Sequence, residues 1–399
     1  MLYPAHGKPI TRDVAAALEE TAKAVEEVGF LKSFQRFTDR VGNVPKYPFL
    51  VPKEQVASSG DKPWAKVSEH LFITGNNYVL VSQEEKAILV IDPWGKRYID
   101  QLDKLRKEQQ LGALEVVWFS HAHYDHYDGV HLLPDRDKFK VWTLDRVAEA
   151  IADPNRMRAP FIDPRPVKID RQFKHGDTAM WREYTIRFHF FPGQTEYTMA
   201  VETTIDGKKC LFTADNFFHQ DQFSGSGGWM GLNRSYPLPY AESARKVLNV
   251  APEWVLAEHG GPFVFNAEDF KRRVNWGETS AKAADAISIS GQHRRDWDPH
   301  RITIEPIVFK TKAGAKLTAT LRASNPRANL ERVTISLQGR GLTDDQTWVV
   351  EVPAGKSVEK IVTIGLKPQI PPGRHILILR NADSLGIEAV DAFLAVDVE

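Results

Sequence analysis

Four side chains that can bind a metal ion lie within six consecutive residues of the chain. In SHAHYDHYDG, residues 120–129, they are His121, His123, Asp125 and His126. Imidazole and carboxylate groups are ligands for zinc, and also for iron or manganese. His121 and His123 stand two residues apart, so an extended backbone can point both side chains the same way. The spacing therefore indicates a metal site rather than an ordinary polar loop.

An apolar strand is expected to position this cluster, because LEVVWFS directly precedes it. Strand-like and helix-like runs are mixed over residues 64–290, which indicates a sheet-rich α/β architecture. Residues 1–63 hold a helical run rich in Ala, Glu and Lys and then a proline-rich linker. Residues 300–399 hold about seven short alternating strands, a pattern typical of an immunoglobulin- or fibronectin-like β-sandwich. The sequence thus predicts three regions with these boundaries.

Composition narrows the class of protein. The 399 residues include 42% hydrophobic and 26% charged residues, with 52 Lys plus Arg against 52 Asp plus Glu. Because basic and acidic residues are equal in number, the chain has no excess positive charge that would favour binding to nucleic acid or to an anionic membrane. Cys210 is the single cysteine, which excludes an intrachain disulfide and a cysteine-rich zinc site. We therefore expect a small-molecule substrate as the partner and neither nucleic acid nor a membrane, and a homo-oligomer stays open.

The start of the chain, MLYPAHGKPITRD, lacks the basic and apolar stretches of a signal peptide and predicts a cytoplasmic protein. However, LYPAHGKPI at residues 2–10 resembles VLAEHGGPF at residues 255–263. One interpretation is that the chain is the C-terminal part of a longer, duplicated protein, which leaves the localisation uncertain. The other is a coincidence between two His-Gly-x-Pro turns. Under either interpretation, His6 is not expected to bind a metal ion.

The histidine-rich segment resembles the His-x-His-x-Asp-His signature of the metallo-β-lactamase superfamily. Further segments resemble that family in order: LVIDPWG, FKHGDTAMW, FFPGQT, LFTADN and VLAEHGGP. The resemblance covers roughly residues 65–275 and implies an αββα sandwich. The fold class is thus α/β, with an N-terminal helical segment and a C-terminal β-sandwich.

The resemblance also implies a role for each of these residues. Asp92 would orient a ligand histidine from behind the metal. Asp125 and Asp215 would be the catalytic carboxylates, and one or two zinc ions, or iron or manganese, would be the cofactor. Metal-activated hydroxide would be the nucleophile. The implied ligands are His121 and His123 for the first ion, Asp125, His126 and His259 for the second, and Asp215 as the bridge.

One position departs from the family pattern. Gln194 stands where the third histidine of the first site is usual, and a neutral amide oxygen is a weak ligand for a transition metal. Glu196 could supply a carboxylate instead, since a Thr-Glu pair after Pro-Gly is also found in the alkylsulfatase branch. That branch ends in an α/β domain, however, whereas this chain ends in strands. Otherwise the protein works with one metal at the second site, or the site has decayed.

A long loop follows Asp215, with four glycines and several aromatic residues in NFFHQDQFSGSGGWMGLNRSYPLPY. Long loops in compact domains are often functional. We interpret it as a substrate-facing lid in which Asn233 and Arg234 contact an anion. The alternative is a loop packed on a neighbouring domain or subunit.

These observations predict a metal-dependent hydrolase of a small-molecule ester, lactone, amide, or sulfate or phosphate ester. One alternative is a mononuclear iron redox enzyme similar to persulfide dioxygenases. Another is a non-enzymatic binding protein with a vestigial metal site, in which the sandwich carries the function. A nuclease is disfavoured by the neutral charge.

Overall fold

The computed structural model describes residues 13–28, 48–51, 64–75, 77–157, 165–218, 234, 236–259 and 261–399. Within them the helices are α1 (Val14–Val28), α2 (Gly95–Gln109), α3 (Tyr124–Tyr127), α4 (Asp145–Ile151), α5 (Pro237–Val250), α6 (Ala267–Ile287) and α7 (His293–Trp297). Short 3₁₀ turns lie at Asp128–Leu132, Arg136–Lys138 and Pro154–Met157. None of these helices is both long enough and apolar enough to cross a membrane.

The first sheet has seven strands, five before the histidine-rich segment in the chain and two after it. In spatial order its strands are β1 (Trp64–Ser68), β2 (Leu71–Thr74), β3 (Asn77–Val81), β4 (Ile88–Ile91), β5 (Leu114–Trp118), β6 (Lys140–Leu144) and β7 (Arg171–Phe173). Strands β1 to β4 are antiparallel, and β4 to β7 are parallel. Strands β2, β3 and β4 are buried along their whole length, because α2 covers one face and a second sheet covers the other.

The second sheet has six strands. In spatial order they are β13 (Pro262–Val264), β12 (Trp254–Ala257), β11 (Lys208–Ala214), β10 (Met199–Ile205), β9 (Tyr184–Phe190) and β8 (Thr178–Trp181). The ring of Phe212 meets Tyr78 and Trp118 of the first sheet edge to face, at centroid distances of 5.4 and 5.3 Å. Helices α5 and α6 cover the outer face of this sheet around Phe270. The four layers form the αββα arrangement that the sequence predicts.

The N-terminal segment contributes to this unit. Helix α1 packs against α6, and Ala24 joins the core there. Phe49 bridges to Phe263 and so extends the edge of the second sheet at β13. The remainder of the predicted N-terminal helical run and linker lies outside the described residues.

The C-terminal region forms two further sheets around a core of its own. One contains β14 (Ile302–Glu305), β16 (Lys316–Ser324) and β19 (Ser357–Gly365). The other contains β15 (Val308–Thr311), β21 (Glu388–Val398), β20 (Gly373–Asp383), β17 (Glu331–Gln338) and β18 (Gln346–Val352). The segment ITIEPIVFK divides into β14 and β15, which lie in different sheets, because Pro306 has no N–H to continue a ladder. The immunoglobulin-like label stays a prediction.

A buried ion-pair network lies where the α/β region meets the C-terminal sheets. Arg295, in α7, is fully buried, and its guanidinium lies 2.9 Å from Glu331 of β17. Arg301 lies 2.7 Å from the same carboxylate oxygen of Glu331. Asp383 of β20 also pairs with Arg295, at 3.3 Å. This network ties the junction to the larger of the two C-terminal sheets.

Candidate metal centre

The ends of three strands bring the cluster together. His121 follows β5 of the first sheet, whereas Asp215 and His259 follow β11 and β12 of the second. The sheets meet at this point, because His121 forms a bridge with Thr198 and the Ser120 carbonyl accepts a hydrogen bond from the Met199 N–H at 2.7 Å. The site therefore lies at one edge of the interface between the two sheets.

Side-chain nitrogens and oxygens converge closely there. The Nε2 atoms of His126 and His259 are 3.1 Å apart, and His121 Nε2 is 3.2 Å from His123 Nδ1. Asp215 Oδ2 lies 3.4 Å from His126 Nε2, 3.5 Å from His259 Nε2 and 3.9 Å from His121 Nε2. One carboxylate oxygen thus stands among three imidazoles, as a bridging ligand would.

The cluster is buried on one side and open on the other. His121 and Asp215 have side chains that are 0% exposed, whereas those of His259 and Asp125 are 28% and 36% exposed. Asp125 Oδ2 lies 3.7 Å from His259 Nε2 and 3.8 Å from His126 Nε2. The open side lets a small molecule reach the donor atoms, which a closed structural metal site would not allow.

Buried acceptors behind the cluster fix two of the rings. The Ser120 hydroxyl lies 2.9 Å from His121 Nδ1, which leaves His121 Nε2 towards the cluster. The Nδ1 of His126 lies 3.0 Å from Asp92 Oδ2 and 2.6 Å from Glu258 Oε2, so its Nε2 also faces inward. The family resemblance implies that Asp92 orients a ligand histidine, and in the structure its carboxylate contacts His126.

Burial and the neighbouring charges shift the ionisation of these groups. Burial, together with the nearby His126 and His123, lowers the pKa of His121 well below its ordinary value, so the ring stays neutral as a ligand must. Burial alone would raise the pKa of Asp215, but His259 and His126 lower it well below its ordinary value. Burial alone would lower the pKa of His126, but the neighbouring carboxylates of Asp215 and Glu258 raise it well above its ordinary value. The cluster therefore holds an anion next to imidazoles.

Sequence reasoning missed Glu258, although it lies directly before His259. The side chain is 1% exposed, and its Oε1 has no hydrogen-bond partner among the described residues. Burial and the nearby Asp92 raise its pKa well above the ordinary range. The sequence offers one signal, which is that Glu258 stands directly before an implied ligand histidine. That position does not predict a contact with His126, which lies 132 residues away in the chain.

Replacing Glu258 by alanine should weaken metal binding by roughly 10- to 100-fold, because His126 loses one of the two carboxylates that hold its Nδ1. Competition with a chromophoric chelator measures this affinity. Glu253→Ala is the matched control, since Glu253 stands just before β12 and pairs with Lys208 at the surface. An unchanged affinity in Glu258→Ala would mean that Asp92 alone suffices to hold His126.

Gln194 lies inside the cluster, at the place of the missing histidine. It is 2% exposed, and its Nε2 donates to Asp215 Oδ2 at 3.2 Å. Its backbone N–H donates to Asn216 Oδ1 at 2.8 Å. A side chain at Gly193 would clash, because an added Cβ would lie 2.5 Å from Asn216 Oδ1. The loop is thus built to present residue 194 to Asp215.

The structure does not bring Glu196 to the histidines. Its carboxylate pairs with Arg146 at 2.6 Å and also with Arg234. Arg234 pairs in turn with Asp298 at 3.0 Å, so it lies at the junction with the C-terminal region. The predicted anion contact Asn233 lies outside the described residues. Two arginines therefore hold Glu196, and its role as a metal ligand is not favoured.

Comparison with known proteins agrees with the geometry. Residues 72–259 match the sequence model of the family described as the metallo-beta-lactamase superfamily. No curated protein matches the chain.

Several solved structures of metallo-β-lactamases are similar to this chain. One from Cronobacter sakazakii is 16% identical and covers 55% of this chain and 92% of its own, with a TM-score of 0.43. GOB-18 from Elizabethkingia meningoseptica is 13% identical and covers 60% and 97%, with a TM-score of 0.44. BJP-1 from Bradyrhizobium japonicum is 15% identical and covers 57% and 96%, with a TM-score of 0.41. At identities and TM-scores this low, the substrates of these proteins do not indicate the substrate of this chain.

Proposed function

Because residues 72–259 belong to the metallo-β-lactamase superfamily, we propose that this chain is a metal-dependent hydrolase that uses one or two zinc ions. Its substrate would be a small-molecule ester, lactone, amide, or sulfate or phosphate ester. The observation that carries the proposal is the half-open cluster, in which Asp215 is buried while Asp125 and His259 face solvent.

The donor set fits such an ion. Asp125, His126 and His259 each offer one atom, and these three atoms lie within 4.8 Å of one another. Neutral imidazole and carboxylate are the ligands that zinc accepts, with manganese and iron as competitors. Two ions would be held as the superfamily pattern implies: His121, His123 and Asp215 on one side, and Asp125, His126, His259 and Asp215 on the other.

Each part of the site has a separate task. A bound zinc ion supplies a Lewis acid and brings the pKa of water close to neutrality. Asp215 offsets the positive charge and keeps the imidazoles together. Asp125, on the open side, would be the ligand carboxylate nearest to an incoming substrate. Asp92 and Glu258 hold His126 so that the donor atoms are arranged before substrate arrives.

Elemental mass spectrometry of the purified protein, followed by a screen of ester, lactone, amide, sulfate and phosphate ester substrates, tests the proposal. We expect one or two zinc ions per chain and turnover of at least one substrate class. One iron ion without hydrolysis would favour the redox alternative. No metal after reconstitution would overturn the proposal and leave a binding protein with a vestigial site.

A histidine at position 194 should tighten the first metal site. We expect Gln194→His to bind the first ion at least about tenfold more strongly, a change of roughly 1.4 kcal/mol, because imidazole replaces a weak amide ligand. Glu196→Ala is the companion variant, and its metal content should stay unchanged because arginines hold that carboxylate. Loss of one ion in Glu196→Ala would instead identify Glu196 as the third ligand.

A further inference from the structure

A polar cleft of about 280 Å³ lies between the α/β region and the C-terminal sheets. On the α/β side its walls come from Arg146 and Glu149 of α4, from Tyr197 and from Arg234. On the other side they come from His300, from Thr303 of β14 and from strand β16. The cleft therefore exists only because the two regions meet here.

Arginine dominates the charged residues of the lining. Arg146, Arg234 and Arg322 face the cleft, with Glu149 as the one acidic lining residue. Glu196 pairs with the first two arginines but is not part of the lining. The guanidinium groups of both arginines are therefore held by carboxylates, since Arg146 also pairs with Glu149 at 3.0 Å and Arg234 with Asp298 at 3.0 Å.

Of the three arginines that line the cleft, Arg322 is the one that no carboxylate of the described residues holds, so it can bind a ligand. It lies on β16 and is exposed. Among the described residues no carboxylate lies within ion-pair distance of it, not even Glu359, its partner in the register with β19. Its guanidinium donates a long hydrogen bond to the Ser357 hydroxyl, at 3.5 Å. Ser324, two residues on along β16, adds a hydroxyl to the same wall.

The cleft and the histidine cluster share one stretch of backbone. Tyr197 lines the cleft, and its carbonyl accepts a hydrogen bond from the Ala122 N–H at 3.2 Å. The next residue, Thr198, bridges to His121. The cleft and the cluster therefore lie next to each other, on either side of this stretch of backbone.

We infer that this cleft binds an anionic group, a carboxylate or a phosphate, on the substrate whose reacting bond lies at the histidine cluster. The inference rests on the proposed function and adds a substrate class to it. A volume of about 280 Å³ suits one such group with a short chain attached, near the small end of ligand pockets. Planar guanidinium recognises carboxylate and phosphate oxygens through paired hydrogen bonds.

Anion binding can be measured directly on the full chain. Inorganic phosphate and succinate would be titrated calorimetrically into the wild type, Arg322→Gln, Arg332→Gln and Asp215→Ala. Arg332 is the matched control, because it is an exposed arginine on the neighbouring sheet that does not line the cleft. We expect about tenfold weaker binding in Arg322→Gln only. Loss in Asp215→Ala with Arg322→Gln unaffected would place the anion at the metal cluster and overturn the inference, as would no binding at all.

Turnover separates this inference from the proposed function. Two esters with the same reacting bond would be compared, one neutral and one with a carboxylate on its acyl chain. The ratio of their kcat/KM values should favour the anionic ester and should fall about tenfold in Arg322→Gln but not in Arg332→Gln. A ratio near one in the wild type would overturn the inference alone. If neither ester is hydrolysed, the hydrolase proposal fails for esters, and the phosphate titration still decides whether the cleft binds anions.

Discussion

Replacing Asp215 by alanine should lower metal affinity by more than roughly 100-fold and hydrolysis by roughly 1000-fold. Asp215 Oδ2 lies within 3.9 Å of a nitrogen of each of His121, His126 and His259, and its carboxylate is fully buried. Without it three imidazoles must share a cation with no bridging anion. Elemental mass spectrometry and kcat/KM on the same preparation measure both effects.

Asp177→Ala is the matched control for this variant. Asp177 is exposed, lies just before the edge strand β8 and accepts a hydrogen bond from the Lys174 N–H at 2.8 Å. Metal content should not change in this control. Full metal loading in Asp215→Ala would contradict a bridging role and would leave a single ion on Asp125, His126 and His259.

Replacing Glu331 by alanine should reduce the free energy of unfolding by about 3–5 kcal/mol. One oxygen of Glu331 accepts hydrogen bonds from both Arg295 and Arg301, at 2.9 and 2.7 Å, and neither arginine is more than 2% exposed. Removing the carboxylate leaves two buried cations with Asp383 and Asp296 as the nearby anions. The shift in urea midpoint at constant m-value measures the loss.

Glu351→Gln is the control for this second variant, because Glu351 lies on the neighbouring strand β18 with an exposed side chain. Its effect should stay within about 0.5 kcal/mol. A similarly small effect in Glu331→Ala would mean that water enters the junction and solvates the arginines. The network would then contribute little to joining the two regions.

Local sequence pattern predicted the frame of the site. His121, His123, Asp125 and His126 lie within one turn after a strand, so their proximity follows from chain connectivity. Helix α2 and strand β5 follow from periodicity and apolar runs that the chain itself displays. Asp215 and His259 required the ordered family resemblance, because β11 and β12 meet β5 only through the packing of two sheets.

Contacts between distant residues could not be predicted. Glu196 and Arg234 lie 38 residues apart, and no spacing rule links them. The sequence alone therefore allows Glu196 as a metal ligand, whereas in the fold arginines hold its carboxylate. Glu258 meets His126 for the same reason, through the docking of β12 beside β11. The boundaries of the three predicted regions stay a prediction, as does the role of Asn233.

The meeting of two sheets at the histidine cluster has a consequence for how the protein responds to metal supply. Four of the implied ligands follow β5 and two follow β11 and β12, so a bound ion would hold the two sheets together at that edge. Ligation is then linked to folding: free zinc at 100 times its dissociation constant adds about 2.7 kcal/mol to stability. If zinc is the ion, the metal-free protein would lose this added stability, and its sensitivity to proteases should rise as zinc is removed.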